Sequence, residues 1–239
     1  MNVGIIGYGK MGKMIHEVAS SRGHNIGVIL KEPNWQSQEV AGLDVVIEFT
    51  SPESAVENIK KCFLEKVPIV VGSTGWYAHY EQVVTWCKKN NHALLTATNF
   101  SIGVNIFWYL NKKLAEIMNE HDDYQVKIKE VHHTEKLDSP SGTAISTAEI
   151  LINQIERYTS WVEGDKQDKM ITIESYREPN VPGTHNVAYK SEIDEISFTH
   201  KANNRKGFAL GAVLAAEFLK DKTGVYPVSY THLTLPTTR

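Results

Sequence analysis

The sequence predicts an α/β fold in two parts, a parallel sheet covered by helices followed by a mixed or antiparallel sheet with helices of its own. Three observations predict it. Short apolar runs recur at Val3–Ile6, Ile26–Leu30, Val45–Phe49, Ile69–Val71 and Ala93–Leu95, with helix-like stretches between most of them. This is the strand-helix-strand rhythm of a parallel sheet buried on both faces. A glycine-rich turn follows the first run directly, and near residue 100 the pattern changes to a long amphipathic stretch and then to alternating segments.

In the first part, Met11, Met14, Ile15, Val18 and Ala19 recur at helical spacing until Arg22-Gly23-His24 stops the helix. The turn before that helix reads Gly7-Tyr8-Gly9-Lys10-Met11-Gly12. The first glycine permits the tight turn, the second lets backbone approach a pyrophosphate, and the third lets helix and sheet pack closely. The helix start then presents unpaired N–H groups and a partial positive charge to the phosphates. A strand-turn-helix setting makes this a Rossmann-type dinucleotide fingerprint rather than a plain turn. The second strand ends in Lys31-Glu32. Glu32 suits a ribose diol, Lys31 suits a 2′-phosphate, and both also fit a solvated strand end. Phe49-Thr50, Gly72-Ser73-Thr74-Gly75 and Asn99-Phe100-Ser101 follow later strands. In open α/β sheets ligands lie beyond the carboxyl ends of the strands, so these loops are placed to line a nicotinamide pocket, Gly72–Gly75 being otherwise only a turn.

In the second part, Ile106, Phe107, Leu110, Leu114, Ile117 and Met118 mark an amphipathic helix. Val126 and Ile128 alternate with Lys127 and Lys129, and a further alternating stretch covers residues 186–202. Between them lies EVHHTEKLDSPSGTA, residues 130–144. Glu130-Val131 ends a strand, Ser141 is a natural N-cap, and the helix it opens is expected to run through Ile155. Gly142 and Thr143 offer N–H groups and a hydroxyl at a positive helix end, which suits a carboxylate. His132 and Lys136 are candidate proton donors, and His133 can fix a second anionic group. A metal is not expected, because neighbouring His132 and His133 point to opposite faces of an extended chain and neither C-x-x-C nor H-E-x-x-H is present. A polar loop with a capped helix accounts for Pro140 and Ser141 but not for two histidines and a lysine together.

Asn203-Asn204-Arg205-Lys206-Gly207 links to the apolar helix Phe208–Leu219, which needs burial on most sides and can return the chain to the first part. The chain has 239 residues and a formal net charge of -3, which argues against nucleic acid or an anionic membrane as the main partner. No apolar stretch approaches the ~20 residues of a membrane span and no h-region opens the chain, so a cytoplasmic protein is expected. Cys62 and Cys87 lie in helix-like stretches and lack metal spacing, as reduced, structural cysteines do. Residues 229–239 contain no acid and no helical period, and read as a non-native or disordered tail.

Glu130-x-His132-His133-x-x-Lys136-x-Asp138-x-Pro140-Ser141-Gly142-Thr143-Ala144 resembles the signature of the 4-hydroxy-tetrahydrodipicolinate reductase (dihydrodipicolinate reductase) family. The resemblance extends over most of residues 1–226, through the Gly7–Gly12 turn, Phe49-Thr50, Gly72–Gly75, Asn99–Asn105 and His200-Lys201-Ala202-x-x-Arg205. It implies a homotetrameric reductase using NADH or NADPH on a cyclic dicarboxylate. It implies a dinucleotide-binding domain over 1–103, completed by 206–228, and an α/β substrate-binding and oligomerisation domain with a mixed sheet over 104–205. By the same match His132 is the proton donor or acceptor and Lys136 the proton donor. His133, Ser141, Gly142, Thr143 and Arg205 hold the dicarboxylate, and Gly72, Ser73, Thr74, Ala97, Thr98, Asn99 and Phe100 join Gly7–Gly12 at the cofactor. Three features depart from the family pattern: a compact glycine loop, Lys31 near the family's acidic position, and the ending of the chain. Competing readings are another two-domain dehydrogenase, such as a sugar oxidoreductase, and a nucleotide-sensing module without chemistry. The Gly72–Gly75 loop lacks the Glu-Lys-Pro common in the former.

Overall fold

A computed structural model describes residues 1–228, and the expected tail lies outside them. The chain runs β1 (Asn2–Ile6), α1 (Lys10–Ser21), β2 (Asn25–Leu30), β3 (Val45–Glu48), α2 (Pro52–Leu64), β4 (Ile69–Val71), α3 (Tyr80–Lys89) and β5 (Ala93–Thr96). It continues through α4 (Ile102–Met118), β6 (Gln125–His132), α5 (Gly142–Ile152), β7 (Ser160–Glu163), β8 (Met170–Arg177), β9 (Thr184–Lys190) and β10 (Glu195–Lys201). It then closes with α6 (Lys206–Leu219) and β11 (Gly224–Pro227). Two compact units result: Met1–Ile102 with residues 206–228, and Gly103–Arg205.

The first unit holds a six-stranded parallel sheet in the order β11-β5-β4-β3-β1-β2. Successive residues of a strand face opposite sides, so each strand feeds two cores. Ile5, Ile47, Val70 and Leu95 pack with Ile15 and Ala19 of α1 and Ala212 and Ala216 of α6. Ile6, Val46, Ile69 and Leu94 pack with Ile59 of α2 and Val83 of α3. The small buried residues Ala209, Gly211, Ala212, Ala215 and Ala216 give α6 its close seat. Cys62 and Cys87 are free and buried, and burial pushes both thiols up, Cys87 to about 11, which leaves them unreactive. No helix among the described residues is long and apolar enough to cross a membrane.

The second unit holds a mixed sheet in the order β10-β9-β6-β8-β7. β6 pairs antiparallel with β9 and parallel with β8. Val126, Ile128, Ile171, Ile173, Val187 and Tyr189 form a core with Phe107, Ala115, Met118, Ala144, Ala148 and Leu151 of α4 and α5. The alternating stretch 186–202 forms the two antiparallel strands β9 and β10 of this mixed sheet. Ser191 breaks it, because its hydroxyl accepts from the N–H groups of Ile193 and Asp194 and closes a hairpin turn. α5 ends at Ile152, short of Ile155, with Asn153 as its C-cap.

Candidate active site

In the first unit the ends of four strands, β2, β1, β3 and β4, are fastened side by side. Gly7 N–H donates to Leu30 O (2.8 Å), Phe49 N–H to Ile6 O (2.8 Å) and Gly72 N–H to Glu48 O (2.8 Å). Gly7 has φ +88°, and a Cβ there would meet Phe49 O at 2.1 Å; one on Gly12 would meet Gly7 O at 2.0 Å. Only glycine allows this fold of the turn against the sheet. Gly9, the N-cap of α1, differs: nothing lies within 4 Å of where its Cβ would stand, and no side chain caps the helix. Open backbone at an uncapped helix start fits a pyrophosphate.

Tyr8 and Met11 are half-buried and Lys10 is exposed. Lys31 and Glu32 are both exposed, and the Lys31 ammonium stands 5.4 Å from the centre of the Tyr8 ring. The Phe49 and Phe100 rings meet at a tilt of 53° with centroids 5.8 Å apart, while Asn99 Oδ1 accepts from Ser101 N–H (2.9 Å). Ala97 and Thr98 line a cleft of about 450 Å³ with Tyr77, Tyr80 and Val228.

Thr74 is exposed, whereas Ser73 turns inward. Its hydroxyl accepts from Thr50 N–H (2.8 Å) and donates to Glu48 Oε1 (3.0 Å). Glu48 also accepts from Thr50 N–H (3.0 Å), the Thr50 hydroxyl and Asn58 Nδ2 (3.4 Å). Glu48 is 0% exposed, and this burial pushes its carboxyl up against the opposing hydrogen bonds. Ser73 and Thr50 thus brace the loops from below.

In the second unit, alternation along β6 sends Val126, Ile128, Glu130 and His132 to the buried face. Glu130 is 0% exposed. Its Oε1 accepts from Ser141 N–H (3.1 Å) and Arg177 Nη1 (3.2 Å), and its Oε2 lies 3.0 Å from His132 Nδ1. Burial opposes the charge, but the contacts from His132 and Ser141 outweigh it and hold Glu130 down at about 2. Arg177 Nη2 donates to Asp138 O (2.7 Å), and the Asp138 carboxylate accepts from Lys136 Nζ (2.9 Å).

Ser141 caps α5 as expected, its Oγ accepting from Ala144 N–H (3.2 Å). Its hydroxyl also lies 3.2 Å from His185 Nε2 and is buried, so the exposed Gly142 and half-buried Thr143 form the outward part of the helix start. Burial, then the neighbouring His132, lowers His185 to about 3, which leaves it neutral. Arg205 Nη2 donates to His133 Nε2 (3.2 Å), and both line a cleft of about 290 Å³ with Asn180 and Pro182.

Glu130, His132 and His185 bring ligand-type atoms within 4.8 Å of one another. This trio is distinct from the pair of adjacent histidines. Arg177 already sits on the same carboxylate, so a cation there meets a fixed positive charge. The arrangement suits orientation of His132 better than metal binding.

Sequence reasoning passed over Glu130, Arg177 and His185 as site residues. An acid in phase with Val126 and Ile128 was the available signal for Glu130. Arg177 and His185 reach the site through sheet register, opposite His132 and Glu130 respectively.

A glycine-turn dinucleotide unit carried on one chain with a unit of imidazole, ammonium and anion-binding groups defines a nicotinamide-dinucleotide-dependent oxidoreductase. Family models described as the N-terminus and the C-terminus of dihydrodipicolinate reductase match residues 1–100 and 103–230. The 4-hydroxy-tetrahydrodipicolinate reductase of Christiangramia forsetii is 46% identical over 228 residues, covering 95% of each chain. The reductase of Methanocaldococcus jannaschii is 33% identical over 93% of this chain and 78% of its own. In structure, the dipicolinate-bound dihydrodipicolinate reductase from Paenisporosarcina sp. TG-14 superposes with a TM-score of 0.76 at 22% identity, covering 95% of this chain and 97% of that one. The chain belongs to the dihydrodipicolinate reductase family, the 4-hydroxy-tetrahydrodipicolinate reductases of lysine and diaminopimelate biosynthesis. A sugar-type oxidoreductase, scyllo-inositol dehydrogenase from Lactobacillus casei with bound NAD(H), shares the fold alone, with a TM-score of 0.56 at 8% identity over 92% of this chain and 87% of that one.

Proposed function

We propose that this chain reduces 4-hydroxy-tetrahydrodipicolinate to tetrahydrodipicolinate with NADH or NADPH, His132 and Lys136 handling protons while His133, Arg205 and the start of α5 hold the dicarboxylate. The carrying observation is that His132, the Lys136 loop, the His133–Arg205 pair and the helix start are gathered on β6 and its neighbours within one unit. Two carboxylates need at least two cationic or N–H anchors, and Arg205 and the Gly142-Thr143 backbone supply both kinds. Dipicolinate, the ligand named for the Paenisporosarcina structure, is a ring dicarboxylate, which supports that substrate class.

The dinucleotide, when bound, supplies a hydride from C4 of its reduced nicotinamide. Lys136 carries a proton on a half-buried ammonium held by Asp138, and His132 presents an imidazole within the same site. Together they provide the proton that balances hydride addition and loss of the 4-hydroxyl as water. Gly7, Gly9, Gly12 and the α1 start hold the pyrophosphate. Tyr8, Lys10, Met11, Lys31 and Glu32 flank the adenosine side, and Phe49, Thr50, Gly72, Ser73, Thr74, Ala97, Thr98, Asn99 and Phe100 shape the nicotinamide side.

The sheet face opposite α4 and α5 carries exposed Lys127, Lys129, Ser197 and Thr199. An uncovered face of this kind supports the homotetramer, in a cytoplasmic enzyme. Freshly generated substrate with each cofactor tests the reaction: oxidation of NADH or NADPH is expected only when substrate is present. Folded protein inactive with both cofactors overturns it. Light scattering tests the tetramer, and a monomer at micromolar concentration removes it.

A further inference from the structure

We propose that Glu130 is the positioning residue of this site, a single buried carboxylate that orients His132, holds the start of α5 and, through Arg177, anchors the loop bearing Lys136. The proposal rests on the reaction proposed above and adds a residue outside the groups that touch substrate.

The geometry has three arms. One is the 3.0 Å approach of Oε2 to His132 Nδ1. Both atoms are buried and neither has a hydrogen-bond partner among the described residues, so each is the available complement of the other. The 3.0 Å approach is an ion-pair contact and not an aligned hydrogen bond; a small turn of the ring aims a proton on Nδ1 at Oε2, satisfies both atoms and leaves Nε2 for exchange at the reacting end. Gly183 keeps that end clear, because a Cβ at 183 would begin 3.0 Å from Nε2. The second arm is Oε1, which accepts from Ser141 N–H at 3.1 Å and fixes where the α5 N–H groups begin. The third runs from Oε1 to Arg177 at 3.2 Å and from Arg177 to Asp138 O at 2.7 Å, while Asp138 holds Lys136 at 2.9 Å. His185 closes the arrangement as a neutral neighbour, its ring edge-on to His132 with centroids 5.0 Å apart.

These arms explain why a carboxylate is kept where Val126 and Ile128 show that the face is apolar. An unpaired ion there would be costly, but one matched by a guanidinium, an imidazole and a helix start is tolerated. A carboxylate that holds an imidazole in one tautomer is a general device for fixing which ring nitrogen transfers the proton.

The test begins with the unaltered protein. In spectra of ¹⁵N-histidine-labelled protein, with the His132 signals assigned through His132→Gln, the neutral ring is expected to carry its proton on Nδ1. A neutral ring protonated on Nε2 overturns the proposal. Glu130→Gln keeps an acceptor for Ser141 N–H but removes the charge. It is expected to lower kcat by about 100-fold, the scale of general acid–base assistance, with KM for the dinucleotide within about threefold. The Nδ1 tautomer preference should be lost in the same variant. Folded Glu130→Gln with the kcat and tautomer of the parent overturns the proposal, and if that variant does not fold, the spectrum of the parent decides. The outcomes separate from failure of the reaction itself, because the tautomer is read without substrate.

Discussion

Each unit of the molecule buries one carboxylate completely at the end of a strand, and the two are handled in opposite ways. Glu48, at the end of β3, is met by two hydroxyls, a backbone N–H and an amide, all neutral, and burial raises its pKa. Glu130, near the end of β6, faces a guanidinium, an imidazole and a helix start, and stays charged with a pKa of about 2. Depth alone therefore does not set protonation; the charges placed around the group do. The first unit holds its acid among neutral donors under two loops. The second unit holds its acid as a fixed charge beside His132, Arg177 and the start of α5.

The contrast is tested first by catalysis. His132→Gln and Lys136→Ala should each lower kcat by about 10²–10⁴-fold, the range for lost general acid–base groups, while dinucleotide affinity in the other unit stays within about threefold. Steady-state rates with fluorescence titration of NADPH measure both, and parental kcat in both variants removes proton transfer from these residues.

Stability separates the acids next. Glu130→Ala strands Arg177 and Ser141 N–H and should cost about 3–5 kcal/mol, as breaking a buried pair does. Glu48→Gln replaces a carboxyl among neutral partners with an amide and should cost about 1 kcal/mol or less. Urea unfolding compares them, and equal losses erase the distinction.

The pH response should differ in sign. Glu130 is depressed, so its contribution is complete above the ordinary carboxyl value of 4.5 and is lost as pH falls toward about 2. His185 is also depressed, so acidification from 6.5 toward about 3 favours the unfolded chain, which takes up the proton first. Glu48 is raised, so its contribution is present below 4.5 and is lost as pH rises through its folded value. Hydrogen exchange between pH 7 and pH 4.5 should show β6 and β9 losing protection relative to β3 and β4. Uniform change across both sheets would contradict this.

The smallest effect is expected at Lys31, an exposed cation beside Tyr8. Lys31→Ala should raise KM for NADPH about threefold to tenfold and leave KM for NADH nearly unchanged, as loss of one exposed phosphate contact predicts. Equal effects on both cofactors would assign Lys31 to the solvated strand end.

Much of this was legible in the residues. The five apolar runs became β1 to β5, and the glycine turn sits where strand meets helix, because local patterning and turn chemistry determine both. Ser141 is the α5 N-cap as its residue type implies. Depth and direction were less legible. Ser73 lies in a loop that reads as a cofactor contact, yet its hydroxyl serves Glu48. β7 and β8 went unrecognised, and with them Arg177, since a parallel register across 45 residues leaves no trace in local spacing. Glu130 ended a strand on paper; only the pairing of β6 with β8 and β9 shows what surrounds it.

The first unit's sheet ends on β11, whose residues pair with β5 in parallel register, Gly224 against Ala93 through Pro227 against Thr96. During synthesis the ribosome makes β5 well over a hundred residues before its outer neighbour, and α6 is equally late to reach the face it covers. Until then a parallel strand edge and the apolar side of β1, β3, β4 and β5 stay open, a template for pairing with other nascent chains. Gly103–Arg205, by contrast, is contiguous and can close as soon as it emerges. In the cell, the unit whose first strand is made first is completed only after the other has been made, and its exposure to chaperones and proteases is governed by how soon α6 and β11 follow.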